Sequence, residues 1–182
     1  MSKKIKIAFD LDGVIIDKPP FIPKKLLEWL FKGTKKDGLH YRFPATKFEQ
    51  WIRKLSHFWL FRPPIKKNIE FIKKLAKNPK YELYIVSGRY SFLEKETEIW
   101  LTKRGLGKIL KKVYINVTDN QPHLFKEKIL KSLKPQIFVD DDSFLTDYLV
   151  EKIPNQKIFY FSLGKNLCKK TPQVSTLEEI FK

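Results

Sequence analysis

Five short apolar runs alternate along this chain with segments of helical period, and that alternation restricts the fold more than any other feature. The runs are 4–9 (Lys-Ile-Lys-Ile-Ala-Phe), 81–86 (Tyr-Glu-Leu-Tyr-Ile-Val), 112–117, 136–139 and 156–161. Each is rich in β-branched and aromatic residues and has the length of a strand covered on both faces. Between them, 65–77, 91–104, 122–134, 143–151 and 176–181 place apolar residues three and four apart, as helices with one buried face do. Strands alternating with helices join by right-handed crossovers into a parallel sheet. The expectation is an α/β chain with a doubly wound, five-stranded parallel sheet.

Residues 18–64 break the rhythm. They open on Pro19-Pro20 and close on Pro63-Pro64, extended or turning joints that helices do not cross. Two helices are expected inside, at about 23–32 and 45–60, separated by Gly33 and a polar loop. Residues 18–67 hold 13 Lys+Arg and three acids, Glu28, Asp37 and Glu49, a net of 13 − 3 = +10. Trp29, Trp51 and Trp59 read as this segment's own small core, and His40 and His57 as structural or surface residues. The organisation expected is a core domain of 1–17 and 65–182 with a small helical insertion at 18–64.

The whole chain carries 37 Lys+Arg against 20 Asp+Glu, a formal charge of +17. Such a field draws in anions, and nucleic acid is one class of anion. However, only five of the basic residues are arginines (Arg42, Arg53, Arg62, Arg89 and Arg104). Forked recognition of phosphates and bases leans on Arg, so the lysine excess reads as surface solvation first. The hydrophobic share of 42% excludes a disordered chain. A lone cysteine, Cys168, excludes an internal disulfide framework and a cysteine-built zinc site. No apolar run reaches membrane-spanning or signal-peptide length, so a cytoplasmic protein with no membrane partner is expected.

The chemistry gathers at strand ends. The first strand runs into Asp10-Leu11-Asp12-Gly13, the second into Ser87-Gly88-Arg89, and the fourth into Asp140-Asp141-Asp142. In an open parallel sheet, ligands bind beyond the carboxyl ends of the strands. Several carboxylates at one sheet edge repel each other unless a cation resolves the repulsion, and all-oxygen ligands suit a hard cation such as Mg²⁺.

These residues resemble the motifs of the haloacid dehalogenase superfamily, mostly phosphatases and phosphotransferases with a Rossmann-like core. Phe9-Asp10-Leu11-Asp12-Gly13-Val14 is similar to its first motif, Val86-Ser87-Gly88 to its second, and Val139-Asp140-Asp141 to its fourth. Lys126, 14 residues before Asp140, matches the lysine of the third motif, with Lys128 as the second candidate. The resemblance spans residues 4–161, and the insertion at 18–64 occupies the family's slot for a cap module. The small cap and paired Asp also look similar to the 5′-deoxyribonucleotidase branch.

The resemblance implies a Mg²⁺-dependent phosphohydrolase that cleaves a small phosphomonoester, a nucleotide among the candidates, through an aspartyl-phosphate. Asp10 would be the nucleophile. Asp12 would be the general acid and then the base, kept protonated at first by neighbouring carboxylates. Ser87 and Lys126 would hold phosphoryl oxygens, joined by the backbone N–H groups of Leu11 and Gly88. Metal ligands would be Asp10, the Asp12 backbone carbonyl, and Asp140 or Asp141. Tyr41, Arg62 and Arg89 are the candidate substrate contacts. An Asp two residues after the nucleophile sets the chain apart from the family's dehalogenases. Two further readings stand beside this one: removal of a terminal phosphate from nucleic acid, and an idle domain that binds nucleic acid through its basic insert.

Overall fold

The computed structural model describes residues 4–19, 39–164 and 167–182. Its elements in chain order are β1 (Ile5–Phe9), α1 (Lys47–Ser56), α2 (Lys66–Ala76), β2 (Tyr81–Tyr90), α3 (Glu94–Lys103), β3 (Lys112–Asn116), α4 (Pro122–Leu133), β4 (Ile137–Asp140), α5 (Ser143–Lys152), β5 (Lys157–Phe161) and β6 (Gln173–Val174). Single 3₁₀ turns cover Ser91–Leu93 and Leu177–Phe181.

The sheet has the order β3-β2-β1-β4-β5-β6, with every pair parallel. The chain runs outward from β1 through β2 to β3, then crosses back to lay β4 on the other side of β1. The loops after β1 and β4 therefore diverge, and the crevice between these two strands is where such sheets bind ligands.

Alternate residues feed two cores. Ile7 and Phe9, Leu83 and Ile85, and Ile137 and Val139 join α2 and α3 on one face. Ala8, Tyr84, Val86 and Phe138 join α4 and α5 on the other. The period of two in the strands thus becomes two buried layers, as near-continuous apolar runs require.

Local chemistry sets the helix ends. Thr46 caps α1 in a capping box: its hydroxyl accepts from Glu49 N, and the Glu49 carboxylate accepts from Thr46 N. Pro122 opens α4, and Lys134 closes it in the left-handed conformation at φ 50°. Among the described residues, no helix is long and apolar enough to cross a membrane.

The structure corrects the sequence reading in several places. The sheet has six strands, not five. The extra one, Gln173–Val174, is two residues long and follows Pro172, so it carries no periodic signal. β2 does not stop at Ser87-Gly88 but continues to Tyr90, with a register shift between Ser87 and Tyr90 against β3. The helical pattern at 91–104 divides into a 3₁₀ turn and α3, and the one at 176–181 is 3₁₀ throughout. Trp51 is exposed and stacks on Phe48, while Trp59 packs against the main core. The expected helix at 23–32, with Trp29, lies outside the described residues.

Candidate active site

β1 delivers Asp10 to the crevice. The Asp10 amide donates to the Val139 carbonyl at 2.8 Å, tying the end of β1 to the end of β4. Lys126 projects from α4 between the two strand ends. Its ammonium lies 2.8 Å from Asp10 Oδ1 and 2.6 Å from Asp140 Oδ2, and all three side chains are buried. Burial raises the Asp10 carboxyl to about 7, with Asp140 and Asp12 adding to the rise and Lys126 opposing it. Burial also works against the Lys126 charge, but the two carboxylates outweigh it and push its pKa up.

Asp141 completes an acidic group. One carboxylate oxygen from each of Asp10, Asp140 and Asp141 lies within 4.8 Å of the others. Burial holds Asp141 well above the ordinary carboxylate range, and Asp140 and Asp10 add to the effect. Gly13 makes room for it. A Cβ there would sit 1.8 Å from Asp141 Oδ2, and the Gly13 backbone is left-handed at φ +78°. Three oxygen donors, each destabilised as an anion by the others, fit a hard divalent cation. Asp12 contributes no side-chain oxygen to this group.

The loop after β1 folds back as a tight turn, with Ile15 N and Ile16 N donating to the Leu11 carbonyl at 3.0 and 2.9 Å. The chain then pairs with the end of the insert: Asp17 N donates to Pro63 O, and Ile65 N to Ile15 O. Trp100 Nε1 donates to the Arg62 carbonyl at 2.8 Å and fixes that backbone. These ties bring Arg62 to Asp12. Arg89 reaches the same carboxylate from the irregular end of β2. Its Nε lies 2.6 Å from Asp12 Oδ2 and its Nη2 lies 2.8 Å from Oδ1, while its Nη1 donates to Thr97.

This pairing overturns one expectation. Neighbouring carboxylates do not keep Asp12 protonated. Burial favours the neutral acid, but Arg89 and Arg62 outweigh it and hold the carboxyl well below its ordinary value. In this conformation Asp12 is an ionised anchor for two guanidiniums. Arg62 and Arg89, expected as substrate contacts, meet that carboxylate.

Of the remaining candidates, Tyr41, Ser87 and Gly88 line one cavity of about 270 Å³. Ser87 is buried at its wall, and Gly88 passes so close to α4 that a Cβ would come within 2.8 Å of Pro122 Cβ. Tyr41 donates its hydroxyl to Asp142 Oδ2 at 2.8 Å, and its backbone exchanges hydrogen bonds with Gln121. Asp142, given no role from sequence, also caps α5. Leu11 is buried in the core and does not line the cavity. Lys128 is exposed, so Lys126 is the lysine at the site.

Sequence reasoning missed Arg53, His57 and Tyr90, which are buried and line the same cavity. His57 Nδ1 lies 2.8 Å from the Arg53 carbonyl. Burial, with Arg89 and Arg62 nearby, lowers its pKa well below the usual value and keeps it neutral. Four of the chain's five arginines, all but Arg104, line this cavity, a grouping that their scattered positions in the sequence do not display.

No family model and no curated protein matches the sequence. Solved structures do match the fold. A candidate phosphatase from Clostridium difficile is 15% identical with a TM-score of 0.63, the match covering 100% of this chain and 98% of that one. A candidate HAD-hydrolase from Bacillus subtilis, YfnB, solved with magnesium bound, is 14% identical with a TM-score of 0.62, covering 98% of each chain. A haloacid dehalogenase-like hydrolase from Streptococcus pneumoniae is 13% identical with a TM-score of 0.59, covering 98% of this chain and 97% of that one. Likeness at this identity carries architecture, and the chain has the Rossmann-like fold of the haloacid dehalogenase-type hydrolases.

Proposed function

We propose that this chain is a magnesium-dependent phosphomonoesterase that works through an aspartyl-phosphate on Asp10. The observation that carries the reading is the convergence of Asp10, Lys126, Asp140 and Asp141 at the crevice between β1 and β4. Asp10 attacks phosphorus as the ester P–O bond breaks, which divides one difficult displacement into two easier ones. Asp12 gives a proton to the leaving alkoxide. It then takes one from the water that attacks the phosphoryl group, freeing Asp10 and inorganic phosphate. For that role Asp12 must leave its two arginines, whose charges hold it ionised, and take up a proton from solvent before it acts as the acid. The Ser87 hydroxyl and Lys126 ammonium hold phosphoryl oxygens, Lys126 as a point charge. Asp10, Asp140, Asp141 and the Asp12 carbonyl would hold Mg²⁺, which offsets the repulsion between carboxylate and phosphate.

The substrate class proposed is a small phosphorylated metabolite, nucleotides included, with residues 39–64 of the insert forming part of the binding wall. Phosphate release from a panel of sugar phosphates and nucleotides tests the reading. Turnover with Mg²⁺ that EDTA abolishes is expected. Equal turnover in EDTA, or none on any ester, would sink it.

Metal binding should also depend on pH in a defined direction. Asp10 must ionise before it ligates, and its pKa lies at about 7. Asp141 and Asp140, whose carboxyls are also raised, must ionise as well, so Mg²⁺ affinity is expected to rise as pH increases through 7, with protons released on binding. Calorimetric titrations in buffers of different ionisation enthalpy would show this. Affinity that is flat from pH 6 to 8 would contradict it.

A further inference from the structure

The arginines are distributed unlike the rest of the positive charge. The chain places 32 lysines and five arginines, yet Arg42, Arg53, Arg62 and Arg89 line one cavity. Lysine suffices to solvate a surface, whereas the guanidinium fork suits oxyanions in fixed geometry. Arg53, Arg62 and Arg89 are each buried. The phosphoryl end of the cavity already has its own cation, Lys126, paired with Asp10 and Asp140.

Two donors on this wall are unfilled. Arg62 is 3% exposed and Tyr90 is 4% exposed. Arg62 Nε and the Tyr90 hydroxyl are nonetheless buried without a hydrogen-bond partner. Buried donors in native structures are almost always satisfied, so two orphans on residues beside a cavity are donors that a small side-chain shift would offer to an acceptor in it. Both residues line this one, and the Arg53 guanidinium lies 5.9 Å from the Tyr90 ring centroid. An acceptor-rich group without donors of its own, a phosphate, fits the set.

We propose that this wall is a second anion subsite, and that the substrate is a phosphomonoester bearing another phosphate group near the scissile one. The proposal rests on the phosphohydrolase reading for the scissile end. It also gives Asp12 a route to its role. A phosphate arriving at Arg62 and Arg89 competes with Asp12 for their guanidiniums; released from those charges, the carboxyl can take a proton from solvent and turn toward the leaving oxygen. The contact that selects the substrate then also assembles the acid. The second phosphate has two sources with the same chemistry: a small bisphosphate, or the phosphodiester adjoining a terminal phosphate.

The test compares a nucleoside 5′-monophosphate, the matching 3′,5′-bisphosphate and a 3′-phosphorylated dinucleotide. Binding is measured by calorimetry on Asp10→Asn protein with Mg²⁺, and turnover is measured on the wild type. The bisphosphate is expected to bind at least about tenfold tighter than the monophosphate. Arg62→Gln should bring that ratio close to one, and Tyr90→Phe should narrow it about threefold. A dinucleotide that gains as much as the bisphosphate assigns the subsite to a phosphodiester, and a gain for the bisphosphate alone assigns it to a small metabolite. Equal affinity for monophosphate and bisphosphate, or a ratio that neither variant changes, overturns the subsite whatever the turnover. Tighter bisphosphate binding with no turnover on any ester overturns the phosphohydrolase reading and leaves the subsite standing.

Discussion

Replacing Lys126 with Met is expected to cost about 3–5 kcal/mol of stability at neutral pH and to remove measurable turnover. The ammonium lies between Asp10 and Asp140, and all three groups are buried. Methionine keeps the volume but leaves two carboxylates facing each other out of water. They can escape only by binding protons. The loss should therefore shrink as pH falls, because the folded variant would hold protons that the unfolded chain releases between its ordinary carboxylate pKa and the raised folded one. Added Mg²⁺ should restore part of the stability by supplying the missing positive charge. Urea unfolding of wild type and variant at pH 5 and pH 8, with and without Mg²⁺, reads all three effects. A variant that unfolds at the wild-type midpoint at pH 8 would show that the lysine does not hold the acids together.

Gly13→Ala is the second large effect. The new methyl would start 1.8 Å from Asp141 Oδ2, at a backbone φ of +78° that L residues rarely adopt. The left-handed conformation alone costs about 1–2 kcal/mol. The overlap cannot be relieved by bending a flexible tip, because Cγ and Cβ of Asp141 also lie within 2.7 Å of that position. The Asp141 carboxylate must leave the acidic group. Mg²⁺ affinity is expected to fall about 100-fold, at the upper end of what displaced metal-site partners cost. Calorimetry would measure it, and an Ala variant that binds Mg²⁺ as the wild type does would remove Asp141 from the ligand set.

Much of this site was legible in the sequence because its parts lie within single local elements. Asp10 follows a short apolar strand, Asp140 follows another, and Lys126 sits one helix before Asp140. Strand ends in a parallel sheet share an edge, so local pattern placed Asp10 and Asp140 together, while Lys126 entered through the resemblance to the family's third motif. The Asp12 clamp was not legible. Arg62 and Arg89 lie 50 and 77 residues away, and they reach Asp12 through a strap between residues 15–17 and 63–65 and an irregular end of β2. No periodicity encodes such a meeting. β6 escaped because two residues cannot display a period, and Trp51 was misplaced because helical spacing does not say which face meets the core. The scarcity of arginine was noted as composition. Its meaning was positional, and only the fold shows the position.

Asp10→Asn removes the oxygen nucleophile proposed to carry the phosphoryl group. The amide keeps the shape of the side chain, and Lys126 retains Asp140 as a partner, so the fold should survive by circular dichroism and thermal melting. On the best ester of the panel, with saturating Mg²⁺, turnover is expected to fall at least about 10,000-fold, as loss of a covalent nucleophile does elsewhere. A folded Asp10→Asn protein that still releases phosphate within tenfold of the wild-type rate would contradict it.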